Sequence, residues 1–274
     1  MAAFVVTPED IKNFLVKPSA DNQEGILFAY EANPGAVESV LPAGLNHVDD
    51  VVKGYAVVVQ DPSFSAPYME VSLFVNAEHD GIVQPYFLAG AVHGPGTESR
   101  MVMGTQAYGF PLKRAEDILV RRQGDRIYFS LVRRGSLLME LEAQIGEFND
   151  GKAADALAAP AGVWSYKYRA QQQPDGTTPF SDVRLISVKK AQETEFSEPA
   201  SIIGVNITTT PDDPWGVLAM ASPLGAAWVR VSKDTIEGTT FVDTVDARKA
   251  MPLLMAPRFD RGLMTKYANR EFNL

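Results

Sequence analysis

Asp117–Ile145, DILVRRQGDRIYFSLVRRGSLLMELEAQI, decides the fold class. It divides into Asp117–Arg122, Arg126–Arg133 and Ser136–Ile145, separated by the turns Gln123-Gly124-Asp125 and Arg134-Gly135. Side chains alternate through Arg126–Val132, the period of a strand with one buried and one wet face. Glycine beside Asp or Arg at each break suits the tight turns that join antiparallel neighbours. The stretch therefore predicts an antiparallel meander.

The same pattern extends in both directions. Upstream, Gly25–Ala32, Tyr55–Gln60, Tyr68–Asn76, Gly81–Ala91 and Arg100–Tyr108 read as strands, with a hairpin turn at His79-Asp80-Gly81. Downstream, Val163–Ala170 and Asp182–Lys189 bracket a turn at Pro174-Asp175-Gly176. Ser201–Thr209, Ala227–Val231 and Thr239–Val245 complete the set. Helices are few. Thr7 followed by Pro8, Glu9 and Asp10 is a capped start for a short helix to about Val16, and Asn33-Pro34 opens another that ends near Pro42-Ala43-Gly44. Short strands at near-regular spacing predict a mainly β (α+β) fold, an antiparallel barrel or sandwich with short peripheral helices. A single domain over residues 1–246 is expected, with 247–274 as a helical arm broken by Pro252 and Pro257 and suited to packing on a neighbouring subunit.

Composition narrows the function classes. The 274 residues carry a net charge of −9, so no basic face for nucleic acid or anionic membrane is implied. Cysteine is absent, which removes disulfides and thiol catalysis. MAAFVVTPEDIKNFL lacks the basic start and apolar run of a signal peptide, and no window approaches a membrane span, so a soluble cytoplasmic protein is expected. His47, His79 and His93 have no metal-site spacing, and no glycine-rich phosphate loop is present, so no metal and no cofactor are expected.

The stretch with most chemical content is Met103–Asp117, MGTQAYGFPLKRAED. A rigid Gly109-Phe110-Pro111 corner precedes adjacent cations, Lys113 and Arg114. A neighbouring cation and an apolar wall both lower a lysine's pKa, freeing the amine to form a Schiff base; a solvated cationic pair at a strand end is the plain alternative. Glu70 lies among apolar neighbours on Tyr68–Val75. Facing inward, it would have a raised pKa and serve as acid or base; facing outward, it is the exposed member of an alternating strand.

At this corner the chain resembles the acetoacetate decarboxylase-like superfamily, whose motif runs Gly-Arg-Glu, a small or aromatic stretch, then Tyr/Phe-Pro-Lys-Lys. Here it reads Gly104-Thr105-Gln106-Ala107-Tyr108-Gly109-Phe110-Pro111-Leu112-Lys113. GILFAYEANPGAVESVLPAGL, Tyr68-Met69-Glu70-Val71 and the Trp164–Val188 hairpin match the family in order and spacing. The resemblance implies a closed or cone-like barrel with an apolar interior pocket, assembly into homo-oligomers, and a lyase acting on a small keto acid through a lysine Schiff base. It assigns catalysis to Lys113 and Glu70, and substrate binding to Gln106, Arg114, Tyr108 and Tyr68. Leu112 stands where the family has its first lysine, Thr105-Gln106 replaces its charged pair, and Gln23 or Glu24 lies near its expected arginine. Two repairs follow. A bulge at Gly109 turns Lys113 inward, with Arg114 depressing its pKa. Otherwise Leu112 fills the old site and no Schiff base forms, because a one-residue shift exchanges strand faces. The second leaves acid–base chemistry on Glu70 (decarboxylation, hydration or enolisation), or a non-enzymatic barrel holding an apolar ligand.

Overall fold

A computed structural model describes residues 5, 7–14, 17–175 and 180–260. The strands are β1 (Ala20–Ala32), β2 (Asn46–Pro62), β3 (Tyr68–His79), β4 (Ile82–His93), β5 (Leu112–Arg114), β6 (Asp117–Gln123), β7 (Arg126–Arg133), β8 (Ser136–Ile145), β9 (Gly162–Ala170), β10 (Phe180–Ile207) and β11 (Met220–Thr244). The helices are α1 (Pro8–Phe14), α2 (Ala36–Val40), α3 (Thr97–Val102), α4 (Ala153–Leu157) and α5 (Ala247–Met255). The expected helix end at Val16, the turn residue Gly176 and the tail beyond Asp260 lie outside the described residues.

All strands belong to one sheet, ordered β11-β1-β2-β3-β4-β9-β10-β8-β7-β6, and the β10–β11 pairing closes β11-β1-β2-β3-β4-β9-β10 into a ring. The mainly β, barrel-like expectation holds, although the ring is not a regular barrel: β4 touches β9 through the single parallel pair Tyr86↔Trp164. The predicted meander is β6–β7–β8, joined to the ring through β10. The β3–β4 hairpin turns at His79-Asp80-Gly81 with positive φ at both Asp80 (49°) and Gly81 (79°), the backbone that matches the twist of paired strands.

Alternation along β1 sorts its two faces. Ile26, Phe28 and Tyr30 enter the main core, where Phe28 stacks on Phe129 of β7 with ring centroids 5.3 Å apart. Gln23 and Leu27, on the other face, line a cavity inside the ring.

Three strand expectations change. Arg100–Tyr108 is helical: α3 runs into a π-helical turn at Met103–Ala107. The apolar MVM suggested a strand, but Gly94-Pro95-Gly96 breaks β4, and the Thr97 hydroxyl donates to the Gly94 carbonyl (2.7 Å) to start the helix. Asp182–Lys189 and Ser201–Thr209 are one strand, as are Ala227–Val231 and Thr239–Val245. The linking segments are polar because β10 and β11 there form a bulged ribbon, with shifts such as Lys189/Lys190 and Glu193/Thr194. The start of the tail packs on its own chain: Ala250, Met251 and Leu254 of α5 are buried in the main core, and Tyr168 Oη donates to the Leu254 carbonyl at 3.3 Å.

Candidate active site

The cavity is lined from every strand of the ring, among them Gln23 (β1), Tyr55 (β2), Glu70 (β3), Phe87 (β4), Val163 (β9) and Val231 (β11). Its volume is about 140 Å³, against the roughly 10–15 Å³ that one water needs. Apolar side chains make up most of the wall, the usual construction of a small-molecule site.

Strand register builds the polar centre of this wall. On β3, Tyr68, Glu70, Ser72 and Phe74 face one way, opposite Val59, Val57, Tyr55 and Lys53 of β2. Glu70 is 2% exposed. Its carboxylate takes Arg100 Nε on Oε2 (2.7 Å) and Arg100 Nη2 on Oε1 (3.0 Å), a two-point ion pair. Oε1 also accepts from Tyr55 Oη (2.6 Å) and Ser72 Oγ (2.9 Å). Arg100 reaches this point because α3 follows the Gly94–Gly96 turn, and its guanidinium also lies 5.7 Å from the Phe110 ring centre and 6.0 Å from that of Tyr68.

These contacts set the charge state. Burial pushes the Glu70 pKa up, but the Arg100 charge and the bonds from Arg100, Tyr55 and Ser72 outweigh it and hold the carboxyl below its ordinary value. The expectation of a raised pKa for an inward Glu70 is thus reversed, since it took burial alone into account. Burial pulls Arg100 down, and Glu70 more than restores it, leaving Arg100 raised. Burial and the Glu70 charge push the Tyr55 phenol well up. The centre is therefore an anionic carboxylate, a cationic guanidinium and a neutral phenol. Oε2 keeps a lone pair free of the crowding at Oε1, so it can accept a proton.

The corner motif resolves onto two faces. Gly109 has φ 73°, and a Cβ there would meet the Tyr166 carbonyl oxygen at 2.2 Å, so glycine alone fits. Phe110 stacks on Phe87 at 4.6 Å beside the cavity. β5 pairs in parallel with β4, Leu112 opposite Gly90 and Lys113 opposite Ala91. Leu112 is 2% exposed and packs with Phe87 and Phe110; a Cβ on Gly90 or Gly104 would meet it at 2.7 or 2.6 Å.

Lys113 points to the opposite face and is not among the cavity-lining residues. It is buried, with Nζ donating to the Asp212 carbonyl (2.6 Å) and Asp213 Oδ1 (3.1 Å) and lying 3.4 Å from Asp260 Oδ1. Arg133 joins the cluster by pairing with Asp213 and, at 2.6 Å, with Asp260. No bulge at Gly109 brings Lys113 inward; strand parity prevails.

Of the other expected site residues, Tyr68 and Tyr108 line the cavity with Glu70. Gln106 is exposed on the π-helical turn, and Arg114 points to solvent, 3.7 Å from the more exposed Glu98. Neither lines the cavity: Gln106 was expected on a strand that is a helix, and Arg114 is the exposed last residue of the three-residue β5. Arg100, Tyr55 and Ser72 are the site residues that sequence reasoning missed. The Pro-Gly break before Thr97-Glu98-Ser99-Arg100 was the signal that a helix, and hence a differently aimed arginine, follows. Among the described residues no group of three or more His, Cys, Asp or Glu side chains is arranged to hold a metal ion, and no helix is long and apolar enough to cross a membrane.

Comparison with known proteins agrees with this geometry at the level of family. A family model described as acetoacetate decarboxylase matches residues 4–245. A curated protein of Lactiplantibacillus plantarum, named CLA biosynthesis isomerase, is 36% identical over 277 residues, covering 98% of each chain. The crystal structure of acetoacetate decarboxylase from Legionella pneumophila aligns with TM-score 0.73 at 14% identity, over 89% of this chain and 99% of that one. The enduracididine biosynthesis enzyme MppR, complexed with the condensation product of pyruvate and imidazole 4-carboxaldehyde, aligns with TM-score 0.61 at 16% identity, over 87% and 95%. At such identities the two structures bear on the fold alone.

Proposed function

This chain belongs to the acetoacetate decarboxylase family, and we propose that within it the protein is an isomerase that moves a proton on a largely apolar carbonyl compound without a Schiff base. The observation that carries this reading is the division of the motif by strand parity. Leu112 packs behind the cavity-lining Phe87 and Phe110, Lys113 is committed to Asp213 on the other side, and the Glu70–Arg100–Tyr55 group stands on the cavity wall where no motif lysine reaches. The isomerase named among its relatives supports the same reaction class.

In this mechanism Glu70 Oε2 takes a proton from the carbon beside the carbonyl. The electron pair moves into an enolate whose oxygen lies against the Arg100 guanidinium, a charge already fixed in place by its bond to Glu70. The same carboxyl returns the proton to a different carbon, so the double bond shifts and no atom is gained or lost. A carboxylate held below its ordinary pKa is a weak base. The carbon it deprotonates must be acidified by both a carbonyl and an adjacent double bond, which makes a β,γ-unsaturated ketone the natural test compound. The apolar wall excludes water from the enolate.

Lys113→Arg keeps the charge of the Asp213–Asp260 cluster and removes every route to an imine on that residue. Conversion of a straight-chain β,γ-unsaturated ketone to its conjugated isomer, followed by ultraviolet absorbance, is expected to proceed at close to the wild-type rate. A folded variant with no activity would return Lys113 to the mechanism.

A further inference from the structure

We infer that Lys53 is an anion anchor, and that the cavity takes an amphipathic carboxylate with its head at Lys53 and its apolar body lying past Glu70. The inference rests on the proton-transfer reading of the same cavity and names its substrate class.

Lys53 lines the cavity on the same face of β2 as Tyr55 and Val57. It is half-buried, and burial pulls its pKa down while Asp49 opposes the shift. It has no hydrogen-bond or ion-pair partner among the described residues. This differs from the other cavity lysine, Lys190, whose Nζ is 2.9 Å from Asp234 Oδ2. The carboxylates near Lys53 form no ion pair with it, and their oxygens take other donors. Asp49 accepts from Asn76 Nδ2 (2.8 Å) and the Val51 amide (3.0 Å), while Glu31 accepts from Lys152 (3.1 Å) and Ser222 (3.0 Å). A partly desolvated ammonium at the end of an apolar cavity thus feels the Asp49 charge but has no anion in direct contact with it.

Position supplies the geometry. Val57 pairs with Glu70, whereas Lys53 pairs with Phe74 on β3 and Ala29 on β1. At ~3.3 Å per residue, the Lys53 and Glu70 rungs are about 13 Å apart along the strand. That span corresponds to roughly ten bonds of extended hydrocarbon chain. The segment Ala156–Pro160, running from the end of α4, lines this part of the cavity and covers the aliphatic stretch between head and reacting carbon. A carboxylate bound at Lys53 would therefore fix which carbon of a long chain meets Glu70 Oε2.

The test is calorimetric titration of the full chain with dodecanoate and with methyl dodecanoate, using wild type, Lys53→Met and Lys53→Arg. Lys53→Met is expected to weaken dodecanoate binding about tenfold or more, to leave the ester unchanged, and to be rescued by Lys53→Arg. Equal losses for acid and ester, no loss for the acid, or a wild type that prefers the ester would each overturn the assignment. Binding is read without turnover, so failure here leaves the Glu70 reaction standing, and an inactive protein that passes this test would count against that reaction alone.

Discussion

Glu70→Gln is expected to reduce isomerisation of the unsaturated ketone by about 10²–10⁴-fold in kcat with little change in KM. The amide preserves the size of the side chain, and its oxygen can still accept from Tyr55 and Ser72, whose bonds to Oε1 are 2.6 and 2.9 Å. What it loses is proton affinity at Oε2 together with the ion pair to Arg100, so its folding is checked by circular dichroism beside the kinetics. In the wild type the acid limb of the kcat/KM profile should lie below the ordinary carboxylate range, because Arg100 and the hydroxyl donors hold Glu70 ionised. Activity should therefore persist as pH falls through the pKa of a free glutamate, and decline only as Glu70 itself is protonated. A folded Glu70→Gln variant within threefold of wild type would remove Glu70 from the chemistry.

Arg100→Leu should act first on stability. It leaves a carboxylate that is 2% exposed without its counter-ion, and breaking a buried pair from one side costs about 3–5 kcal/mol. Urea denaturation at neutral pH reads that loss. The pH dependence should change sign as well. In the wild type the folded-state pKa of Glu70 is depressed, so its contribution is full above the unfolded value and is lost as pH falls through the folded one. Without Arg100 burial dominates, and the folded pKa rises above the unfolded one. The variant's carboxyl is then tolerated below the unfolded value and destabilises as pH rises through the folded value. The gap between variant and wild type should narrow on acidification; a gap independent of pH would mean that Arg100 stabilises by packing on Phe110 and Tyr68 rather than by charge.

Both effects depend on contacts of unequal visibility in the sequence. The β6–β8 meander was legible because each strand alternates and each turn carries glycine, so local pattern and tertiary role coincide. Glu70 was legible as a charge on an apolar strand. Its partner was not: Arg100 lies 30 residues away, and the Met101-Val102-Met103 run beside it has the look of a strand. The helix there is fixed by the Gly94–Gly96 break and by the tertiary pull of a buried carboxylate, which no local window contains. The long β10 and β11 strands were obscured for a related reason. Their paired ribbon includes exposed polar residues, Glu195 and Lys233 among them, and so lacks the apolar period that marks a buried strand. At the corner, the sequence left open whether Leu112 or Lys113 faces inward. Parity decides it once Leu112 is paired with Gly90, and the ion cluster of Asp213, Asp260 and Arg133 holds Lys113 on the outer face.

The most direct test of chemistry without an imine is intact-mass analysis after borohydride reduction in the presence of the unsaturated ketone, followed by peptide mapping. Conversion of the ketone with no reduced adduct on Lys113, Lys53 or Lys190 is expected. A mass increase of one ketone per chain, mapped to any of those lysines and lost with its replacement by arginine, would contradict it and make the protein an imine-forming enzyme like the lysine-bearing members of its family.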